Sequence, residues 1–201
     1  MNPKITLLPI LFGVLLATTA HAGEADWAKS YQQESTGKNA EALAALEAID
    51  KDEDTHLMML RRGWLNYQLG RHDESLKSYT AAVNRYPRSV EALLGQTLPL
   101  LATRRWDEAA AQARKALETA PWNYTAATRL MVALEAKKDW KELAKLSGDM
   151  AERFPSDATV RVYLARAETA LGWKNEAAGS WQEVLNRVPG HIEAKKNLGR
   201  P

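Results

Sequence analysis

Histidine is the residue type in this sequence that could take part in the most kinds of chemistry, because an imidazole can bind a metal ion or transfer a proton near neutral pH. Beyond residue 22 they are His56, His72 and His191. A helical zinc pair needs two histidines four positions apart on one face of a helix, and no two of these have that spacing. We interpret them as surface or helix-terminal residues and predict no metal site.

Carboxylates are concentrated in one run, at residues 50–54, which suggests comparison with a calcium-binding loop. Such a loop also needs a glycine and a closing glutamate in a fixed order, and neither surrounds the run. The GxSxG, GxxxxGK[ST] and GxGxxG signatures of nucleophile and phosphate sites are missing from the sequence. The sequence therefore predicts no cofactor and no enzymatic activity. We interpret the acidic run as a solvated connection that leads into the positive N-terminus of a helix.

The N-terminal residues have the pattern of a secretory signal peptide. Lys4 gives a weakly positive start, the run from Ile5 to Ala17 is almost wholly apolar, and small residues precede a cleavage position after Ala22. An uncleaved anchor is the alternative, but a membrane span needs about 20 apolar residues and this run is shorter. No cysteine follows, which excludes a lipid-anchored lipoprotein. We predict that residues 1–22 are cleaved, that the protein is periplasmic, and that no stable membrane insertion remains.

Composition limits the class of partner. The 27 basic residues are nearly balanced by 25 acidic ones, and both signs are interspersed along the chain. Such a balance is typical of a solvated surface and not of a nucleic-acid-binding one. The chain has no cysteine, so in an oxidising compartment its stability must come from packing alone.

Four prolines reveal an internal repeat. Pro87, Pro121, Pro155 and Pro189 are separated by 121 − 87, 155 − 121 and 189 − 155, which is 34 residues each time. An apolar residue precedes each proline, as expected for the last turn of a helix that the proline ring cannot continue. The spacing predicts a repeated helix–turn–helix unit that ends at each proline.

The residues around these prolines resemble the tetratricopeptide-repeat family. The unit that matches the family best contains Met59, Gly63, Gly70, Ser75, Tyr79, Ala82 and Pro87. The resemblance implies an all-α fold: a right-handed α-solenoid of about five helix–turn–helix units with a short C-terminal capping helix. A divergent first unit is predicted at 23–55. Four units follow within 56–189, at about 56–89, 90–123, 124–157 and 158–191, and a truncated cap at 190–201, in which Ile192 and Leu198 face inward.

The predicted helices follow the repeat. They are 24–36, 38–50, 56–69, 73–86, 90–102, 106–119, 124–137, 140–153, 158–171 and 174–187.

Two irregularities are expected within this series. Pro99 should kink or break the helix at 90–102, because it removes an amide donor. Met131, Leu143 and Met150 stand where the family implies small residues at the contact of two helices, so the helices of that unit should sit further apart and the curvature should change locally.

The resemblance also implies a binding groove, because the first helix of every unit lines the concave face of such a solenoid. Aromatic residues and arginine are common at binding hot spots, since they give contact area and planar hydrogen bonding. The candidate groove residues are Trp27, Tyr31, Leu60, Arg61, Trp64, Tyr67, Leu94, Leu98, Arg129, Val132, Tyr163 and Arg166. Trp64 and Tyr67 have an alternative interpretation as packing between units, and the three arginines as ordinary solvated residues.

Some family members bind a terminal carboxylate with lysines, asparagines and an arginine on successive first helices. Only Arg129 matches that set here, because Gly95 and Thr125 stand where asparagine and lysine are implied. That particular clamp is not predicted, and a different acidic or C-terminal ligand remains open.

Two functions are compatible with these observations. The first is a periplasmic scaffold that binds a protein or peptide partner in its groove, within an envelope, secretion or maturation assembly. The second is an accessory factor of polysaccharide export or cell-wall metabolism, which would bind glycan through the groove aromatics.

Overall fold

The structure is a computed structural model that describes residues 15–47, 49 and 55–201. Most of the predicted signal peptide and the acidic run at 50–54 lie outside the described residues. The predicted cleavage after Ala22 falls within the first helix and stays a prediction.

The described part of the chain is built from eleven helices and contains no strand. The helices are α1 Leu15–Ser35, α2 Asn39–Glu47, α3 Thr55–Gln68, α4 His72–Arg85, α5 Val90–Ala102, α6 Trp106–Thr119, α7 Tyr124–Lys137, α8 Trp140–Arg153, α9 Ala158–Leu171, α10 Lys174–Arg187 and α11 Ile192–Asn197. Each helix packs against the one before it and the one after it. The all-α prediction is confirmed, and α5 to α10 have the predicted bounds.

Polar side chains start the helices that follow the prolines. Ser89, Asn123 and Asp157 accept hydrogen bonds from the amides three residues later, at 3.2, 2.9 and 2.9 Å. These amides are among the first four of a helix, which have no carbonyl partner within it. The cap fixes where each first helix begins and therefore which of its faces meets the groove.

The turn inside a unit uses a left-handed residue. Gly70 and Gly172 have φ values of 70° and 75°, a left-handed conformation that glycine adopts without strain where a helix ends. Arg104 and Lys138 stand in the corresponding turns of the second and third units with φ values of 59° and 60°. The turn geometry is therefore kept even where a side chain makes it less favourable.

The third unit is packed differently from the others. Met131, Leu143 and Met150 are buried, and α7 and α8 approach each other less closely than the two helices of the other units do. The prediction that these helices sit further apart is confirmed, because larger side chains fill their contact. The predicted change of curvature stays a prediction.

Pro99 does not break α5. The helix continues to Ala102, and the carbonyl of Pro99 accepts hydrogen bonds from the amide and the hydroxyl of Thr103, at 3.0 and 2.7 Å. The part of the prediction that this helix breaks is wrong. A proline this close to the end of a helix removes only one hydrogen bond, and the buried ring of Pro99 stays packed, so the last turn of α5 keeps its helical conformation.

The C-terminal helix α11 packs against the last unit. Ala194 is buried, and Leu198 contacts the apolar cluster formed by α9 and α10. Ile192, which was expected to face inward, is 83% exposed, because Ala194 and Leu198 occupy the inward positions of this short helix. Within the described ranges, none of the helices is long and apolar enough to span a bilayer.

Candidate functional site

Arg61 is enclosed by its own chain. Its Nε and Nη2 donate to the hydroxyl of Ser30 at 3.2 and 3.1 Å, and its Nη1 donates to Glu34. The guanidinium also lies 3.8 Å from the ring centroid of Tyr31. With only 6% of the residue exposed, Arg61 joins α1 to α3 and offers little to a ligand.

The N-terminal aromatics form a packed group. Trp27 stacks on Tyr31 with ring centroids 6.2 Å apart, and Trp64 lies 6.0 Å from Tyr67. Trp27 and Trp64 also pack against the apolar core of the first two units. The indole of Trp64 donates to Glu34, which already accepts from Arg61. These contacts favour the packing interpretation for Trp64 and show that Trp27, for which packing was not considered, is also part of this core, whereas Tyr31 is half exposed.

Glu34 is the carboxylate on which this N-terminal group converges. Burial raises the pKa of Glu34, but the hydrogen bonds from Trp64 and Arg61, with the charge of Arg61, lower it by more. The net result is a pKa below the usual value, so the carboxylate stays charged at neutral pH.

Arg166 is held by two carboxylates. Its Nε donates to Glu193 Oε1 at 2.9 Å and its Nη2 donates to Glu193 Oε2 at 2.6 Å, while its Nη1 donates to Glu135 at 3.2 Å. The hydrogen bond to Glu193 raises the pKa of Arg166, and this effect outweighs the lowering by partial burial. Tyr163 lies nearby and is half-buried; burial, with the charge of Glu135, raises the pKa of its hydroxyl. This end of the groove is neutralised by the chain itself.

Arg129 differs from the other two groove arginines. Its Nη1 donates to the carbonyl of Leu94 and, at 2.8 Å, to the hydroxyl of Thr97, both on α5. Among the described residues no carboxylate pairs with it, and its Nε and Nη2 make no hydrogen bond. Burial lowers the pKa of this guanidinium, as expected for a charge without a counter-ion. Two donors of a fixed fork are therefore open to a ligand.

Tyr79 belongs to the site although the sequence analysis named it only as part of the repeat pattern and not among the groove residues. Its ring, carried by α4, lies between Gly63 on α3 and Gly95 on α5, where a Cβ would come within 2.8 and 2.1 Å of ring atoms. Burial raises the pKa of Tyr79 to about 12, and the charge of Arg129 opposes this shift. The sequence feature that could have predicted this position of the ring is the pair of glycines, because the absence of their side chains lets a large ring reach the concave layer.

A pocket of about 280 Å³ opens beside this ring. It is lined by Tyr31, Leu57, Leu60, Arg61, Trp64, Tyr79 and Glu91. Half-buried Leu98 lies on α5, one turn beyond Gly95, and is not one of the residues that line the pocket. Tyr79 links the pocket to Arg129, because its ring lines the pocket and packs against Gly95, the residue next to the Leu94 carbonyl that accepts from Arg129.

The histidines serve structural contacts in the described ranges. His72 lies 5.7 Å from Tyr67, and the Nδ1 of His191 accepts from the amide of Ala194 at the start of α11. No group of three or more histidine, aspartate or glutamate side chains within these ranges is arranged to hold a metal ion.

Stacked helix pairs with a 34-residue period, each offering its first helix to one concave face, define a helical-repeat protein. The tetratricopeptide-repeat family model matches residues 27–90 and 60–124. The chain is a member of the tetratricopeptide-repeat family.

Solved structures of the same fold resemble this chain closely in shape. They include MamA from Desulfovibrio magneticus RS-1, with a TM-score of 0.76 at 14% identity, covering 85% of this chain and 97% of that one. A tetratricopeptide repeat protein from Parabacteroides merdae ATCC 43184 gives 0.79 at 15% identity, covering 89% and 71%. A thermophilic protein of the same repeat class from Thermus thermophilus gives 0.58 at 14% identity, covering 88% and 97%. No curated protein matches the sequence. At these identities the likeness concerns the fold alone.

Proposed function

We propose that this protein is a non-enzymatic periplasmic scaffold that binds an extended segment of a partner protein in its concave groove. The observation that carries the proposal concerns Arg129. Its guanidinium is half-buried, has two donor atoms without a hydrogen bond, and is not paired with a carboxylate of any described residue. A buried charge without a partner is unfavourable, and a ligand that supplies the partner recovers that free energy. The ligand group is therefore a carboxylate, from an acidic side chain or a C-terminus.

The surroundings of Arg129 define the rest of the ligand. The adjacent pocket is lined mainly by aromatic and aliphatic side chains, and the charge of Arg61 within it is already paired with Glu34. An apolar side chain next to the carboxylate fits this pocket better than a second acidic group, which would meet exposed Glu91 at the rim. The proposed ligand combines one carboxylate with one apolar side chain.

The glycan hypothesis has less support from the contacts. A sugar ring stacks on an open aromatic face, but Trp27 and Arg61 both lie against the ring of Tyr31. Trp27 and Trp64 also use part of their surface in the core. No described contact favours glycan over peptide.

Affinity capture from an envelope extract tests the proposal, with the full chain compared with its Arg129→Gln variant. Arg114→Gln is the matched control, because Arg114 lies on a second helix and pairs with Glu142 through 2.9 and 2.7 Å hydrogen bonds. Removing a charged hydrogen bond lowers affinity by about tenfold to hundredfold. We expect a bound protein that is depleted in the Arg129 variant only.

Peptide selection then identifies the ligand chemistry. Short random peptides displayed with free C-termini should give sequences in which a carboxylate follows an apolar residue, and amidation should weaken those that use the C-terminus. Selected peptides that bind the Arg129→Gln variant as tightly as the parent chain would exclude Arg129 as the contact. Binding of a glycan panel with no selected peptide would support the glycan hypothesis instead.

A further inference from the structure

A second cavity opens at the C-terminal end of the groove. It has a volume of about 440 Å³, and all of the helices from α7 to α11 contribute to its lining. We call it the C-terminal cavity. The lining residues that matter for its chemistry are Glu135, Trp140, Arg166, Thr169, Trp181 and Glu193. Two indoles and two carboxylates therefore border one space.

The two indoles form the apolar part of this cavity. Trp181 is 2% exposed, and its Nε1 donates to the hydroxyl of Thr169 at 3.0 Å, which itself donates to the carbonyl of Ala165 at 2.6 Å. These hydrogen bonds fix the ring and use its only donor. Trp140 is half-buried, and its indole N–H donates to no described residue. Trp140 is therefore the indole with a surface left for a ligand.

The pairing that neutralises Arg166 uses more carboxylate than one guanidinium needs. Glu193 accepts from its Nε and Nη2 at 2.9 and 2.6 Å, and this two-point contact balances one charge. Glu135 uses only Oε1, at the longer distance of 3.2 Å, and its Oε2 accepts no hydrogen bond from a described residue. Two carboxylates against one guanidinium leave the lining with an excess of negative charge.

Apart from Arg166, no basic residue of the described part lines this cavity. Lys137 pairs with Asp107, and Arg200 donates to the side-chain oxygen of a glutamine on α10. Lys174, which lines an adjoining cavity, and Lys196 on α11 are exposed, so water and salt screen their charges. The excess charge inside the C-terminal cavity is therefore available to a ligand.

A cation is the kind of group that this lining attracts. An ammonium or guanidinium group is drawn to the face of an aromatic ring, most strongly to that of tryptophan. The unused oxygen of Glu135 can accept a charged hydrogen bond from the same group. The aliphatic part of a lysine or arginine side chain can lie along an indole while its charged end reaches the carboxylate. An acidic group would be repelled here.

We propose that the C-terminal cavity binds a lysine or arginine side chain of the segment that occupies the groove. This inference rests on the proposed peptide-binding function and adds a second charged contact to it. Arg129 and Glu135 both lie on α7 and are 135 − 129 = 6 residues apart, or about 9 Å along the helix axis. An extended segment covers about 3.3 Å per residue, so the basic residue lies about three or four positions from the carboxylate that Arg129 binds.

Blocked amino acids test the cavity without a selected peptide. Acetyl-lysine amide and acetyl-arginine amide are the cationic probes, and acetyl-norleucine amide is the neutral one. In nuclear magnetic resonance spectra of the isotope-labelled full chain, the cationic probes should shift the indole N–H signal of Trp140, assigned with Trp140→Phe. The neutral probe should leave that signal in place.

Glu135→Gln should weaken the binding of the cationic probes about tenfold. Arg166 keeps its two-point contact with Glu193 in this variant, and an unchanged circular dichroism spectrum checks the fold. Glu142→Gln is the matched control, because Glu142 pairs with Arg114 on second helices, and it should bind the probes as the parent chain does. Equal binding by Glu135→Gln and the parent chain, or no selective shift at millimolar concentrations, would overturn the proposal.

The peptides selected on the parent chain distinguish a failure of this inference from a failure of the groove function. A lysine or arginine should recur at a fixed distance from the carboxylate. Its replacement by norleucine should weaken binding about tenfold in the parent chain and have little effect in Glu135→Gln. Peptides that need Arg129 but contain no recurring basic residue would overturn the cation site and leave the groove function standing. Peptides that bind both Arg129→Gln and Glu135→Gln as tightly as the parent chain would overturn both.

Discussion

The ring of Tyr79 occupies the space that a side chain at Gly95 would need. A Cβ at position 95 would lie 2.1 Å from two ring carbons, which is well inside van der Waals contact. Tyr79 is carried by the second helix of its unit, yet its ring lies in the layer of first helices. The separation of α3 and α5 therefore depends on the pairing of one large residue with two glycines.

Substitution of Gly95 by alanine should destabilise the protein. Alanine stabilises a helix by about 1 kcal/mol relative to glycine, but overpacking against a rigid ring lowers the free energy of unfolding by about 1–3 kcal/mol. With the backbone unable to move away easily, we expect a net loss of roughly 1 kcal/mol or more in urea denaturation. Gly148→Ala is the control, since nothing lies within 4 Å of its Cβ position, and it should be stabilising. Stabilisation by both substitutions would show that the ring can move aside.

Stability should fall at alkaline pH because of Tyr79. Its folded pKa is about 12, above the value near 10 of an unfolded chain. The stabilising contribution is complete below pH 10 and is lost as the pH rises towards 12, by roughly 2–3 kcal/mol at about 1.4 kcal/mol per unit. Denaturation measured between these pH values should show a smaller loss of unfolding free energy for the Tyr79→Phe variant than for the parent chain. Equal losses in both chains would place the hydroxyl in water.

Removal of the Glu34 charge should weaken the N-terminal end. In Glu34→Gln the buried Arg61 keeps its charge and loses its counter-ion, which we expect to cost about 1–3 kcal/mol because the carboxylate is partly solvated. Denaturation should show this loss, and adding Arg61→Met should recover part of it. The exposed Glu47→Gln is the control and should have no effect. The pKa of Glu34 is lowered, so its contribution is present at neutral pH and lost as the pH falls below the usual carboxylate range.

The cap should loosen when Glu193 loses its charge. Glu193→Gln weakens the two-point contact with Arg166 and leaves Glu135 as the remaining acidic partner. Because these groups are about one-third exposed, we expect a loss of about 0.5–1 kcal/mol. Hydrogen exchange should accelerate in α11 and stay unchanged in α3. Exposed Lys196→Gln serves as the control, and equal acceleration in that variant would mean that α11 frays regardless of the ion pair.

The fold could be predicted well because its signals are local and periodic. The 34-residue proline spacing located helices such as α6, whose bounds are 106 and 119 in both prediction and structure. The prediction was less accurate for α2, because Ile49 was predicted to be helical and lies outside the helix, and the first unit has no proline to mark its end. Pro99 shows that one local rule can be outweighed by packing in the last turn of a helix.

The candidate site was harder to predict, because its chemistry depends on contacts between units. Arg61, Arg129 and Arg166 look equivalent in the sequence. Their partners lie 27 to 35 residues away, on neighbouring units, and only the side-chain geometry shows which guanidinium keeps open donors. Whether the groove residues bind a partner stays a prediction for the binding experiments.

The wider spacing of α7 and α8 has a consequence for the mechanics of the array. In a stack where each unit contacts only its neighbours, the overall curvature is set by the geometry of each helix contact. Two of the side chains that fill this contact are methionines, which change shape at little cost. We expect the solenoid to hinge at this unit, so that the curvature adapts to ligands of different length while Arg129, on one side of the hinge, keeps its place on α5.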